Sequence, residues 1–202
     1  MEQYAKVSHA VTGIRVNDGA GDVEVAGGAA AGTVEVTRRV PRGSDSSSTG
    51  ETWQGNTLVI DADPGCGPLV FGCSVDYTIR VPDGTTVAID TGSGDLKLGG
   101  TLGAVDVKSG SGDIKAKQLQ AADIAARTGS GDIDLGLSES PNQLTVKTGS
   151  GDVDVTVPSA ETYTVVVQSG SGDDHVTVKT DPTSPRKVQI TTGSGDVKLG
   201  YR

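Results

Sequence analysis

Aromatic residues are scarce in this 202-residue chain: 3% of the sequence, with a single Trp and a single Phe. No surplus of rings is left for stacking on bases or sugars. Lys and Arg number 17 against 26 Asp and Glu, a net charge of −9. That argues against nucleic acid as a partner, because phosphate binding needs a basic surface. Hydrophobic content is 34%, below that of an average globular domain, and no apolar run approaches the length of a membrane-spanning helix. The start, Met1-Glu2-Gln3-Tyr4, lacks the basic end and apolar stretch of a secretory leader. The expectation is therefore a cytosolic protein, or one whose export signal or membrane anchor lies in a segment absent from this chain. Histidine is limited to His9 and His175. A lone outward His beside Asp174 is weak material for a Ser-His-Asp site, so a glycan-active β-helix enzyme is the weakest of three functional readings.

Glycine, by contrast, is abundant, with 30 residues, and much of it lies in one phrase. Gly-Ser-Gly-Asp, preceded by Thr or Ser, occurs at Gly92–Asp95, Gly110–Asp113, Gly129–Asp132, Gly149–Asp152, Gly170–Asp173 and Gly193–Asp196. A degenerate copy, Gly19-Ala20-Gly21-Asp22, lies near the N-terminus. Spacing drifts from 18 residues (Gly92 to Gly110) to 23 (Gly170 to Gly193), the signature of a stacked-repeat architecture. Apolar residues alternate on both sides of each phrase, as in Val105 and Val107 before it and Ile114 and Ala116 after it. Period two means half-buried strands. The odd separation between Val107 and Ile114 cannot keep both on one face of a straight strand, so the chain must turn at the phrase. Gly permits the turn and close backbone approach, and Asp and Ser can bond nearby N–H groups.

Each repeat thus reads as strand, corner, strand and a looser return, with Leu102 and Leu119 plugging the first returns. Stacking such units buries rows of Val, Ile and Leu. The predicted fold is all-β: a β-solenoid of roughly 20-residue repeats with an N-terminal β cap, the alternative being an antiparallel β-sandwich with the phrase in hairpin loops. Residues 1–90 are expected to form the cap and first rungs and residues 91–202 the repetitive body of one continuous domain. Pro41 to Gly55 reads as a long exposed loop, and Trp53 as a cover for the end of the apolar stack. In the fifth main repeat Asp174 stands where an apolar residue belongs, which predicts a local bulge with Val176 and Val178 resuming the core. The chain stops just after the last repeat, which predicts a weakly protected final edge there and room for self-association.

Cys66 and Cys73 flank a short loop with turn formers at both ends. One disulfide, and hence an oxidising compartment, is the leading reading; free thiols and half a zinc site are the alternatives. The six phrase aspartates, Asp95, Asp113, Asp132, Asp152, Asp173 and Asp196, would form one column. Either their carboxylates cap the corners by accepting N–H and Ser hydroxyl bonds, with Lys108, Arg127 and Lys147 stacked nearby, or the column binds Ca²⁺. The residues before the phrase, from Thr91 to Thr192, form a column of hydroxyls. No catalytic or cofactor-binding residue is assigned.

The repeated Thr-Gly-Ser-Gly-Asp-Val-x-Val phrases, with Cys73-Ser74-Val75-Asp76-Tyr77-Thr78-Ile79-Arg80-Val81-Pro82 leading into the first of them, resemble the bacterial putative-adhesin β-strand-repeat family, a domain of unknown function. The resemblance covers most of the chain. It implies an exported or membrane-anchored protein of the cell envelope, extracytoplasmic or secreted, with some relatives tied to envelope stress and no enzymatic residues to carry over. The leading functional reading is a non-enzymatic envelope solenoid that offers an adhesin-like surface or scaffold to a surface protein or a glycan. The second is a self-assembling structural filament.

Overall fold

The structure, a computed structural model, describes residues 2–8, 10–40, 49–62 and 74–202. Nineteen strands and no helix are found among them. The first group is β1 (Glu2–Ser8), β2 (Gly13–Asp18), β3 (Val23–Ala29), β4 (Thr33–Arg39), β5 (Thr49–Gln54), β6 (Thr57–Ala62) and β7 (Asp76–Pro82). Then come β8 (Thr86–Thr91), β9 (Leu96–Thr101), β10 (Val105–Ser109), β11 (Ile114–Gln120), β12 (Asp123–Ser130) and β13 (Ile133–Leu137). The last are β14 (Gln143–Ser150), β15 (Val153–Val157), β16 (Thr164–Ser169), β17 (Asp174–Val176), β18 (Lys187–Ser194) and β19 (Val197–Tyr201).

Every Gly-Ser-Gly-Asp phrase carries the chain from one sheet to the other, and in three of them the first Gly and the Ser still belong to the preceding strand, β12, β14 or β18. One sheet has the order β16-β18-β14-β12-β10-β8-β2-β6-β5, the other β1-β4-β7-β3-β9-β11-β13-β15-β19-β17. Among the described residues, pairing is parallel along the stack and antiparallel only where β4 joins β7, β1 joins β4 and β5 joins β6. The molecule is therefore a β-solenoid with an antiparallel closure at one end, and the sandwich alternative is set aside. Inward residues stack in rows: Val87, Val105, Ile124, Leu144 and Val188 form one row, and Leu96, Ile114, Ile133, Val153 and Val197 another. All of these are buried, as are Leu102 and Leu119 in the returns.

Rungs do not stack in chain order. The β2–β3 rung lies between the β6–β7 rung and the β8–β9 rung, so the degenerate N-terminal copy is an inner rung. At the other end the last repeat, β18–β19, lies between β14–β15 and β16–β17. This corrects the expectation of an exposed final repeat: the fifth repeat forms the end of the stack. It also explains Asp174. No bulge is present; β17 runs in register with β19, Asp174 opposite Val197 and Val176 opposite Leu199. Val176 holds an inward position yet is 37% exposed, because no rung covers it. Val178 is buried as expected.

At the opposite end, β5 occupies part of the expected loop from Pro41 to Gly55. Its Trp53 pairs with Leu58 and packs against the core. Cys66, Cys73 and His9 lie outside the described residues.

Candidate functional site

The corners stack backbone on backbone. A Cβ built on Gly131 would lie 2.3 Å from the carbonyl oxygen of Gly112, and one on Gly195 2.1 Å from that of Gly151. The same collision recurs at the third position of each phrase, and a milder one at the first: Gly110 meets Gly92 O at 2.3 Å and Gly149 meets Gly129 O at 2.5 Å. The repeated Gly-x-Gly is thus a packing requirement. Positive φ is a further reason at Gly151, Gly172 and Gly195, where φ is 152°, 140° and 144°.

The aspartates form one column, as expected, and it is longer than the six phrases. In stack order it runs Asp76, Asp22, Asp95, Asp113, Asp132, Asp152, Asp196, Asp173. Each Oδ1 accepts the backbone N–H of the next aspartate: Asp22 N to Asp76 at 3.3 Å, Asp95 N to Asp22 at 3.0 Å, Asp113 N to Asp95 at 2.9 Å and Asp132 N to Asp113 at 3.0 Å. Asp152, Asp196 and Asp173 continue it at 2.8, 2.8 and 2.9 Å. A carboxylate that accepts an amide offsets the repulsion of its neighbours. The expected Ser hydroxyl donors are not found on the ladder among the described residues. Nor do Lys108, Arg127 and Lys147 serve it. They do stack in register, but Arg127 pairs with Asp106 at 2.6 Å. The cation on the ladder is Lys115, 2.9 Å from Asp113 Oδ2. Its hydrogen bond, with the Asp132 N–H, holds Asp113 below the usual carboxylate range, and the same contact raises Lys115.

The hydroxyl column is a second ladder, and it is internal. Ser109 Oγ donates to Gly94 O at 3.1 Å, Thr128 Oγ1 to Gly112 O at 2.9 Å, Thr148 Oγ1 to Gly131 O at 3.0 Å and Thr192 Oγ1 to Gly151 O at 3.2 Å. In the β2–β3 rung the equivalent position is Asp18, whose Oδ2 accepts Gly21 N–H at 2.9 Å. Burial pushes the Asp18 carboxyl up despite the N–H groups of Ala20, Gly21 and Gly19. Its neighbour in register, Thr91, has a buried hydroxyl with no partner. Sequence reasoning passed over Asp18, although an Asp immediately before the degenerate phrase, where every other copy has Thr or Ser, was the available signal.

Outside the corners the molecule offers two flat faces. On the β2–β14 face lies a groove of about 470 Å³, floored by Ala88 and Ala125 and edged by Arg15, Asp106, Arg127 and Gln143. On the opposite face a hollow of about 330 Å³ is bounded by Glu24, Lys97, Lys115 and Lys117. His175 and Asp174 lie on the exposed end strand β17. Among the described residues no group of three or more His, Cys, Asp and Glu side chains is placed to hold a metal, and no helix is long and apolar enough to cross a membrane.

Residues 6–200 match the model of the family described as Toastrack DUF4097. No curated protein matches this chain. Among solved structures, a putative cell adhesion protein of Clostridium sporogenes is similar over 100% of this chain and 99% of its own, with a TM-score of 0.58 and 16% identity. A putative adhesin of Bacteroides fragilis is similar over 98% and 97%, with a TM-score of 0.50 and 15% identity. At such identities the likeness is one of fold.

Proposed function

We propose, from the premise that the chain belongs to the Toastrack DUF4097 family, that it is a non-enzymatic surface module: a stiff solenoid whose flat faces present polar side chains to a partner. The observation that carries this reading is the use made of the repeated residues. The aspartates are engaged on backbone N–H groups, the hydroxyls on glycine carbonyls, and the glycines in close packing. What remains for chemistry is spread over the two faces, in ranks of Lys, Arg, Asp and Thr with small residues between them. Such ranks suit an extended partner, a surface protein or a glycan, better than a small substrate. The fold neighbours being a putative cell adhesion protein and a putative adhesin supports an adhesive role. It also supports a place in the cell envelope or outside the cell. A disulfide between Cys66 and Cys73 would accord with that location.

Binding of the labelled chain to whole bacterial cells and to an array of bacterial and host glycans tests the reading. Saturable binding that falls when Arg15 and Arg127 are both replaced by Ala is the expected result. Absence of binding to either, or turnover of any polysaccharide on the array, would remove it.

A further inference from the structure

Strands β6, β2, β8, β10, β12 and β14 form the face that holds the groove of about 470 Å³. Their outward positions carry four acids and four bases. The face is therefore neutral on a chain whose net charge is −9. Its row nearest the corners reads Asp61, Asn17, Asp90, Lys108, Arg127, Lys147 in stack order. Acids fill one half of the row and bases the other. The three cations stand in register, about 4.8 Å apart, where like charges repel. Among the described residues Arg127 is the one of the three with an ion-pair partner, Asp106 of its own chain at 2.6 Å.

The row changes sign at the boundary between β8 and β10. Counted outward from that boundary, Asp90 mirrors Lys108, Asn17 mirrors Arg127 and Asp61 mirrors Lys147. Size obeys the same mirror in the rows beside it. Ala88 mirrors Asp106, Ala125 mirrors Arg15, and Gly13 mirrors Asp123. A small residue thus stands at the mirror position of each of these three large ones.

We propose that this face docks on itself: a second copy of this chain packs against it, about a twofold axis lying along the strands between β8 and β10. The inference rests on the reading of this face as a partner-binding surface, and it names the partner. Such an axis keeps the strand direction and reverses the stack, so each residue meets its mirror residue in the other copy. Asp90 faces Lys108 on both sides of the axis, and Asp61 faces Lys147. Arg15 enters the groove over Ala125, with Asp123 two residues along the same strand to receive its guanidinium. Asp106 stands over Ala88 and keeps its bond to Arg127. Next to the charged row come the first glycines of the phrases, such as Gly92 and Gly110, so no column of like charge meets its own copy. The opposite face lacks that freedom, because the aspartate ladder borders it.

Contacts between exposed charges are individually weak, and six strands cover on the order of 400–500 Å² of each copy. The dimer is therefore reversible. It is isologous and consumes the face, so it closes at two copies. Because the two stacks run antiparallel, the contact suits chains held on two facing surfaces, which is adhesion of like to like.

Sedimentation from about 10 µM to about 1 mM protein reads the association. The expected result is a mass that climbs toward twice the monomer's and no further. Lys108→Glu sets acid against Asp90 at the axis and weakens association at least about tenfold; Asp90→Lys does the same with two bases. Both positions are exposed, so the fold is kept. An equimolar mixture of the two variants restores association, because each offers the charge that the other needs. That restoration separates docking from a change within the chain, since the in-chain neighbours at 90 and 108 are the same in the mixture as apart. A chain that stays monomeric at about 1 mM overturns the proposal, as does association that Lys108→Glu leaves unchanged or a mixture no tighter than its parts. Monomers that still bind cells or glycans through Arg15 and Arg127 overturn it and leave the surface-module reading standing. Dimers with this charge pattern and no binding to cells or glycans uphold the self-docking and remove that reading.

Discussion

Replacing Gly131 by Ala puts a methyl group 2.3 Å from Gly112 O, 2.7 Å from Gly112 C and 3.2 Å from Asp113 N. All three are backbone atoms, so no side chain can swing away; the corner itself must retreat by about 1 Å to reach ordinary contact. The bonds that hold it in place are Asp132 N–H to Asp113 Oδ1 at 3.0 Å, Thr128 Oγ1 to Gly112 O at 2.9 Å and Ser130 N–H to Gly110 O at 3.2 Å. A retreat of that size stretches each beyond useful length. At about 1 kcal/mol per bond, and more for a carbonyl left buried and unpaired, the loss comes to about 3–5 kcal/mol. A chain of this length would melt roughly 6–20 °C lower. Gly136, in the following strand of the same rung, is the control: its nearest neighbour would be Ala116 O at 3.4 Å, an ordinary contact, and Gly136→Ala should change stability by less than about 0.5 kcal/mol. Denaturant and thermal unfolding of both variants, followed by circular dichroism, give the comparison. If Gly131→Ala falls within about 1 kcal/mol of Gly136→Ala, the corners are not packed backbone to backbone and the account of the repeat fails.

Asp132→Ala should cost about 1–2 kcal/mol while Asp132→Asn stays near the parent, because the Asp152 N–H needs an acceptor and not a charge; equal losses in urea titrations would contradict the ladder. The parent's melting midpoint should be indifferent to Ca²⁺ and to a chelator, and a midpoint raised by Ca²⁺ would assign the column to metal binding. Gln118, in the register shift of β11, has φ 52°; Gln118→Gly should gain about 0.5–1 kcal/mol by relieving a left-handed residue, and a loss of stability would show that its side chain matters more. Asp18→Asn should stabilise the fold near neutral pH and change little well below pH 3.8. The folded pKa of Asp18 lies above that value, so the penalty for its charge is absent below the unfolded pKa and fully in force above the folded one; a gain seen only in acid would refute this.

Register was legible in the sequence because side-chain alternation has a strict period of two, and an odd step between Val107 and Ile114 requires the corner that the structure has. Rung order was not legible. Every repeat offers the next the same apolar rows, the same amide for an aspartate and the same hydroxyl for a carbonyl, so the fifth and sixth repeats are locally interchangeable as neighbours. The distinguishing mark was Asp174. An inward carboxylate is tolerable where nothing covers it, and read that way it labels the fifth repeat as the end of the stack. The cations before the corner were misread for a related reason: sequence adjacency to the phrase put Lys108 and Arg127 beside the aspartates, whereas Arg127 pairs with Asp106 and the ladder's cation is Lys115, two residues past Asp113 on the next strand.

The stack also has a polarity that explains one disguised corner. At the third position of each phrase the Cβ direction points at the carbonyl of the rung on the N-terminal side of the stack: Gly112 toward Gly94, Gly94 toward Gly21, and Gly21 toward Val75, whose carbonyl oxygen is 2.0 Å from the built atom. Val75 therefore holds the third corner position of the β6–β7 rung, and Asp76 after it starts the aspartate ladder. A valine there means that no parallel rung lies beyond, and none does among the described residues: β7 is followed by antiparallel β4, and β6 by antiparallel β5. Glycine is demanded at this position in each rung that has a parallel neighbour on that side and is released in the rung that has none. Ser74-Val75-Asp76 is thus the repeat phrase with its steric constraint lifted, and the buried Val75 side chain fills space that in every other corner belongs to a stacked peptide.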